Sequence, residues 1–295
     1  MKNKHMDFDY HNLFKPSYLE ALCAEYRLRP SKEYGQNYLL SEVPIQAMIE
    51  AARVQKNDTI VEVGPGFGVL TLALAPQVQK VLAFEIEKKI EAYWDVRQKE
   101  YPNVEVVWGN VLHQMQGKAN IVPNTYKVIA NVPYQITSQI FRLFLEEVPV
   151  RPACIVTMVQ KEVAERICAK RGDMSLLAVS VQYYGTPKIV TKVSRGNFWP
   201  MPKVDSAVIA IEVNQNHTST KERDDWFFAV VRAAFAHKRK QAWRNMSEEL
   251  GIEKEKVQAT LKTVVDNEQV RAQDVGVGEW IEIAKQLQVH KVKSS

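Results

Sequence analysis

The stretch 59-TIVEVGPGFGVL-70 decides how the rest of the chain is read. A short, near-continuous run of β-formers passes without a break into glycines at positions 64, 66 and 68. Runs of this kind suit a strand covered on both faces, where a half-exposed strand would alternate. Glycine lets the backbone turn sharply and approach a ligand without Cβ clashes. A glycine-rich turn between a first strand and a helix marks the nucleotide crevice of a doubly wound sheet. The spacing is G-x-G-x-G, not the dinucleotide G-x-G-x-x-G, and the Lys-Ser/Thr of a phosphate-binding loop is missing.

Outward from this motif, short β-rich runs alternate with helical patterns. Strands are expected at 59-TIVEV-63, 80-KVLAFEI-86, 104-VEVVW-108, 126-YKVIAN-131 and 153-ACIVTMV-159, with helices over 42–53, 87–99, 137–147 and 160–170. This order implies a mostly parallel sheet with helices on both faces. The runs 177-LAVSVQYY-184 and 207-AVIAIEV-213 read as an antiparallel pair at one edge. The polar stretch 214-NQNHTSTKERDD-225 reads as a linker. Beyond it, 225-DWFFAVVRAAFAHKRKQAWRNMSEEL-250 reads as one long helix capped by Asp224 or Asp225, with Phe227, Val231, Ala234 and Phe235 on its core face. The expected division is an N-terminal segment over 1–40, an α/β domain over 41–213, a linker over 214–225 and a small all-helical domain over 226–295.

At 295 residues, the chain has enough length for one large domain and a smaller one. Its 46% apolar and 25% charged composition is that of a soluble globular protein. No apolar run approaches the roughly 20 residues of a membrane span, and Asp7, Asp9, Glu20 and Glu25 argue against a transit peptide. The three cysteines, Cys23, Cys154 and Cys168, have neither disulfide-framework nor zinc spacing. A reduced, cytoplasmic protein without a metal is the expectation. The net charge of +5 is compatible with a polyanionic partner.

The second expected strand ends in Glu85, where a carboxylate can accept both hydroxyls of a ribose. The third is followed by 109-GNVL-112, where Asn110 can hold an adenine edge. The loop, the acid and the polar group together point to S-adenosylmethionine, with a nicotinamide dinucleotide as the alternative. Against that alternative, nothing supplies a second mononucleotide half. The fourth strand runs into 131-NVPY-134, which alone reads equally well as a turn. Beside a methyl donor it has a chemical use. The lone pair of an adenine N6 is delocalised into the ring, so the amine is a poor nucleophile. The Asn131 side-chain oxygen and a backbone carbonyl can accept its two hydrogens and favour a pyramidal nitrogen, and Pro133 stiffens the turn. Tyr134 offers a ring for the base, and 196-GNFWPMPKVDSAV-208 adds Phe198 and Trp199. Base–aromatic stacking of this kind returns about 1–3 kcal/mol, against a few for flipping the base out.

With these motifs in one order, the chain resembles the KsgA-type rRNA adenine N6,N6-dimethyltransferases. The resemblance rests on 27-RLRPSKEYGQNYLL-40, 61-VEVGPGFGVLTLAL-74, 131-NVPYQITS-138, 160-QKEVAERI-167, 181-VQYYG-185, 198-FWPMPKVDSAV-208 and 231-VRAAFAHKRKQAWRNM-246. It implies a Rossmann-like methyltransferase sheet with a small C-terminal helical domain. It also implies that Gln36, Asn37 and Leu39 cover the cofactor, that Gly64 meets its methionine part and Glu85 its ribose, and that Gly66, Asn110 and Asn131 also bind it. Asn131 and Pro133 would receive the target N6, framed by Tyr134 and Phe198. Two positions depart from the family's habit: Asn110 stands where Asp is usual, and Tyr38 where Phe is common. The run 237-HKRKQAWR-244 cannot lie on one helix face, since four residues span about 400°. The resemblance makes Lys238, Arg239, Lys240 and Arg244 phosphate contacts.

The function so implied is methylation of two adjacent adenines near the 3′ end of small-subunit rRNA, within an assembling subunit, by a monomer with no membrane partner. The alternatives are an Erm-type methylase of large-subunit rRNA and a non-catalytic RNA-binding assembly factor. A DNA adenine methylase is disfavoured, because no additional target-recognition region is evident.

Overall fold

The computed structural model describes residues 8–30, 36–115 and 125–292. Residues 1–7 of the expected N-terminal segment and 31–35 of the motif ending in GQNYLL lie outside them. The chain divides into two compact units, one made of 1–164 and 188–213, the other of 165–187 and 214–295. No described helix is long and apolar enough to cross a membrane.

The described strands, in chain order, are β1 (Tyr38–Leu39), β2 (Thr59–Val63), β3 (Lys80–Glu85), β4 (Val104–Trp108), β5 (Lys127–Asn131), β6 (Cys154–Gln160), β7 (Gly185–Val193), β8 (Phe198–Trp199) and β9 (Ser206–Val213). Seven of them form one sheet in the order β4-β3-β2-β5-β6-β9-β7, while β1 and β8 pair separately. β4, β3, β2, β5 and β6 run parallel, and β9 turns antiparallel to β6. Continuous apolar sequence is explained by burial on both faces: every residue of β2 is buried, and β3 and β5 are buried but for their ends. The strand order reverses between β2 and β5. In an open α/β sheet, the crevice beyond the carboxyl ends at such a switch point is where ligands bind. The loops leaving β2 and β5 are the glycine turn and the NVPY turn.

Helix Val43–Ala51 buries Ile45, Met48 and Ile49, a spacing of three and four that makes one apolar stripe. Helix Glu91–Glu100 buries Tyr93, Trp94 and Arg97 in the same manner. The small sheet joins distant chain: Tyr38 faces Trp199 and Leu39 faces Phe198 in antiparallel register.

Three sequence expectations are corrected. The run 177–184 is not an edge strand. It lies in helix Leu176–Tyr184, capped by the Ser175 hydroxyl accepting from the Ala178 N–H at 3.2 Å, and the strand read there begins instead at Gly185. The linker ends early, because helix Lys221–Phe235 starts behind the Thr220 cap. Asp224 therefore sits inside that helix, accepting from the Tyr183 hydroxyl at 2.8 Å and the Tyr184 hydroxyl at 3.3 Å. Finally, the long helix over 225–250 is broken into Lys221–Phe235 and Ala242–Leu250. Buried Asn245 causes the break to hold: its Nδ2 donates to the carbonyls of Ala234 at 2.7 Å and His237 at 3.1 Å. The Ala234 carbonyl lies in the last turn of the helix, where carbonyls lack intrahelical partners, and the His237 carbonyl, in the turn beyond, also accepts from the Lys240 N–H at 3.0 Å.

Candidate active site

The carboxyl ends of β2, β3, β4 and β5 surround one cavity of about 360 Å³ in the first unit, within the range of small-molecule sites. Of the residues singled out in the sequence, Gln36, Asn37, Leu39, Gly64, Gly66, Glu85, Asn110, Asn131 and Pro133 all line it.

Gly64, Gly66 and Gly68 take φ values of +72°, +54° and +88°, a region open to glycine and strained for other residues. Crowding reinforces the requirement at Gly68, where a Cβ would lie 2.9 Å from the Trp94 ring. Glu85 is 5% exposed. One of its carboxylate oxygens accepts from the Gly66 N–H at 3.0 Å, the other from the N–H groups of Ile86 and Glu87, both at 2.8 Å. Burial raises its pKa, and these three backbone donors oppose the rise. A carboxylate has about four acceptor positions, so the group retains capacity for a further donor such as a ribose hydroxyl.

Asn110 caps the short helix Val111–Gln114, its Oδ1 accepting from the Leu112 N–H at 3.0 Å. The amide places a second polar group, Nδ2, where a carboxylate would offer only acceptors. Asn131 ends β5, and its Nδ2 donates to the Asn37 carbonyl at 3.5 Å. The Pro133 carbonyl accepts from the Ile136 N–H at 3.2 Å. The Thr137 hydroxyl also reaches this oxygen, at 3.5 Å, while lying closer, at 3.1 Å, to the Tyr134 carbonyl.

Two expected residues stand apart from the cavity lining. Tyr134 is partly buried and its hydroxyl lies 2.6 Å from that of Ser206. Phe198 is 3% exposed, packed into the core opposite Leu39 rather than presented as an open stacking face. The aromatic residues that do line the cavity are Phe84 and Tyr38, the latter stacked on Trp199 at 6.1 Å between centroids.

Sequence reasoning passed over Glu62. It too lines the cavity, is 2% exposed, and accepts from the Thr71 hydroxyl at 2.7 Å. Burial pushes its pKa up to about 8, with Thr71 opposing and Glu85 adding to the rise. An acid inside an otherwise apolar strand was the available signal.

The model of the family described as "Ribosomal RNA adenine dimethylase" matches residues 27–289. The chain belongs to that family. A "Ribosomal RNA small subunit methyltransferase A" of Dehalococcoides mccartyi is 36% identical over 255 residues, covering 86% of this chain and 87% of the relative. The protein of the same description from Alkaliphilus metalliredigens is 36% identical over 288 residues, covering 93% and 98%. Among solved structures, a dimethyladenosine transferase from Plasmodium falciparum shares the fold, with a TM-score of 0.72, 24% identity, and coverage of 86% of this chain and 97% of that one.

In this dimethylase, the cationic run 237–240 lies in the turn between two helices of the second unit, with His237, Lys238, Arg239 and Lys240 all exposed. The expected helical presentation is thus replaced by a turn, which frees the run from helical spacing. Lys240 pairs with Glu248 at 2.8 Å, and the Arg244 guanidinium lies 5.1 Å from the Trp243 ring centroid.

Proposed function

We propose that the chain methylates N6 of two adjacent adenines near the 3′ end of small-subunit (16S) rRNA, giving N6,N6-dimethyladenosine, with S-adenosylmethionine as methyl donor. The observation that carries this reading is the convergence of the Glu85–glycine-loop half and the Asn131–Pro133 half on one cavity. Glu85 would hold the ribose of the cofactor, Asn110 its adenine edge, and Gln36, Asn37 and Leu39 its covered side. When bound, S-adenosylmethionine supplies an electrophilic methyl group on a sulfonium.

The work of the chain is positional. Asn131 Oδ1 and the Pro133 carbonyl accept the two N6 hydrogens of the target adenine, which holds the amine and turns its lone pair toward the donor. Orientation of this kind lowers a barrier by roughly 7–11 kcal/mol without a strong base. Tyr38, open to the cavity, is the ring best placed for apolar contact. Tyr134 and Phe198 act on the base only if their packing relaxes. In the second unit, Lys238, Arg239, Lys240 and Arg244 would pair with RNA phosphates. We place the reaction in the cytoplasm, in a monomer acting on an assembling small subunit, as a contribution to subunit biogenesis.

The test uses purified protein, labelled S-adenosylmethionine and small subunits lacking the modification, followed by nucleoside analysis. Label is expected as N6,N6-dimethyladenosine in small-subunit RNA, and Asn131→Ala should lower kcat by about 10²-fold or more. Label confined to large-subunit RNA would sink the substrate assignment. Cofactor binding without methyl transfer to either RNA would favour the assembly-factor reading.

A further inference from the structure

The glycine loop is held by its carbonyl oxygens as well as by its glycines. Trp94 Nε1 donates to the Gly66 carbonyl at 2.9 Å, and the Tyr93 hydroxyl donates to the Phe67 carbonyl at 2.7 Å. From the opposite end of the sequence, the Tyr10 hydroxyl donates to the Val69 carbonyl at 3.0 Å. None of these three side chains lines the cavity. Phe67 itself is 2% exposed, its ring 5.3 Å from that of Tyr38, 5.4 Å from Tyr93 and 6.3 Å from Tyr26. The arrangement reaches further toward the N-terminus. The Arg97 guanidinium lies 3.8 Å from the Phe8 ring centroid and 5.6 Å from that of Tyr93. Phe8 and Tyr10 precede residue 27, where the family match begins.

We propose that Tyr10, Tyr93 and Trp94 are positioning residues that fix the glycine loop in its cofactor-binding form, so that the segment ahead of the family match helps set cofactor affinity. The inference rests on reading the cavity as an S-adenosylmethionine site. A turn with three glycines at positive φ has unusually many conformations to lose, and ligand binding must bear that ordering unless the protein has already imposed it. The three donors impose it. Gly66 matters most, because its carbonyl is held by Trp94 while its N–H donates to the Glu85 carboxylate at 3.0 Å. Tilting that residue would misalign both the loop and the carboxylate assigned to the ribose. Tyr10 anchors the far side of the loop from the 3₁₀ turn Tyr10–Phe14, which makes this early segment a part of the site without contact to the ligand.

The test is calorimetric titration of the full chain with S-adenosylhomocysteine, using Tyr10→Phe, Trp94→Phe and Tyr126→Phe. The last is a matched control, since the Tyr126 hydroxyl also donates to a backbone carbonyl, that of Val150 at 2.8 Å, away from the cavity lining. Tyr10→Phe and Trp94→Phe should each weaken binding by about three- to tenfold, and Tyr126→Phe should leave it unchanged. In turnover, the first two should raise KM for S-adenosylmethionine and leave kcat at saturating cofactor intact. Wild-type affinity in both clamp variants, or an equal loss in Tyr126→Phe, would overturn the proposal while leaving the cofactor assignment in place. Failure of the unaltered chain to bind S-adenosylhomocysteine would overturn both.

Discussion

Glu62 shows how one buried side chain can couple the cofactor crevice to pH. Its folded pKa of about 8 lies above the ordinary glutamate value of 4.5. The folded protein therefore holds a proton that the unfolded chain has released, and this favours folding most at and below pH 4.5. The contribution fades as pH rises from about 4.5 and is gone once pH passes about 8. Glu62→Gln keeps a neutral partner for Thr71 and removes the titration. Between pH 5 and 9, the thermal midpoint of the wild type should fall by roughly 5–10 °C more than that of the variant; parallel curves would show that Glu62 titrates elsewhere. Single residues were legible in the sequence where chemistry left a spacing. Glu85 was singled out from its place at the end of β3, and Asn131 from its place at the end of β5. Phe198 was assigned to the base because a Pro-stiffened aromatic looks available, and only packing reveals that its ring is covered. The Pro133 carbonyl was likewise assigned without knowing that Ile136 already uses it.

Elements were legible where hydrophobic period and length agreed. Parallel strands β2 to β6 were read within a residue or two at their ends, because burial on both faces leaves continuous apolar runs. Helix Leu176–Tyr184 was misread because Val179, Val181, Tyr183 and Tyr184 are good strand formers. Its helical state follows from the Ser175 cap and from tertiary partners, among them Phe227, stacked on Tyr183 at 3.9 Å between centroids. The break after Phe235 has no glycine or proline to announce it. It depends on Asn245, which is fully buried ten residues further on. Asn245→Ala should destabilise the chain by about 2–3 kcal/mol, as its hydrogen bonds to the Ala234 and His237 carbonyls are lost and a small cavity opens. Urea unfolding would measure the loss. A change within about 0.5 kcal/mol would show that the turn is held by other means.

The two-unit division at the scale of the whole molecule was legible in outline, as an α/β body followed by helices. Its discontinuity was not, since 165–187 belongs with the later helices although it precedes β9. Polar composition marked 214–225 as a linker, although a helix begins at Lys221, and composition carries no record of which body a helix joins. Charge also acts at this scale. Lys238 and Arg239 are exposed in the turn, whereas Lys240 is already paired with Glu248 at 2.8 Å. Replacing Lys238 and Arg239 together by Ala should lower the slope of log affinity for RNA against log salt by roughly 1.5. Lys240→Ala should change that slope less, and equal effects from all three would contradict the pairing.

The short β1–β8 ladder has a consequence for synthesis. Tyr38 and Leu39 leave the ribosome early, yet their partners Trp199 and Phe198 follow only after β2 to β7 have been made. Pairings between segments so distant in the chain form late, once the intervening loops have closed. A nascent chain can thus assemble most of its parallel sheet during translation while the strand over the crevice still lacks its partner. Newly made protein would acquire its complete cofactor crevice only once Phe198 and Trp199 have emerged.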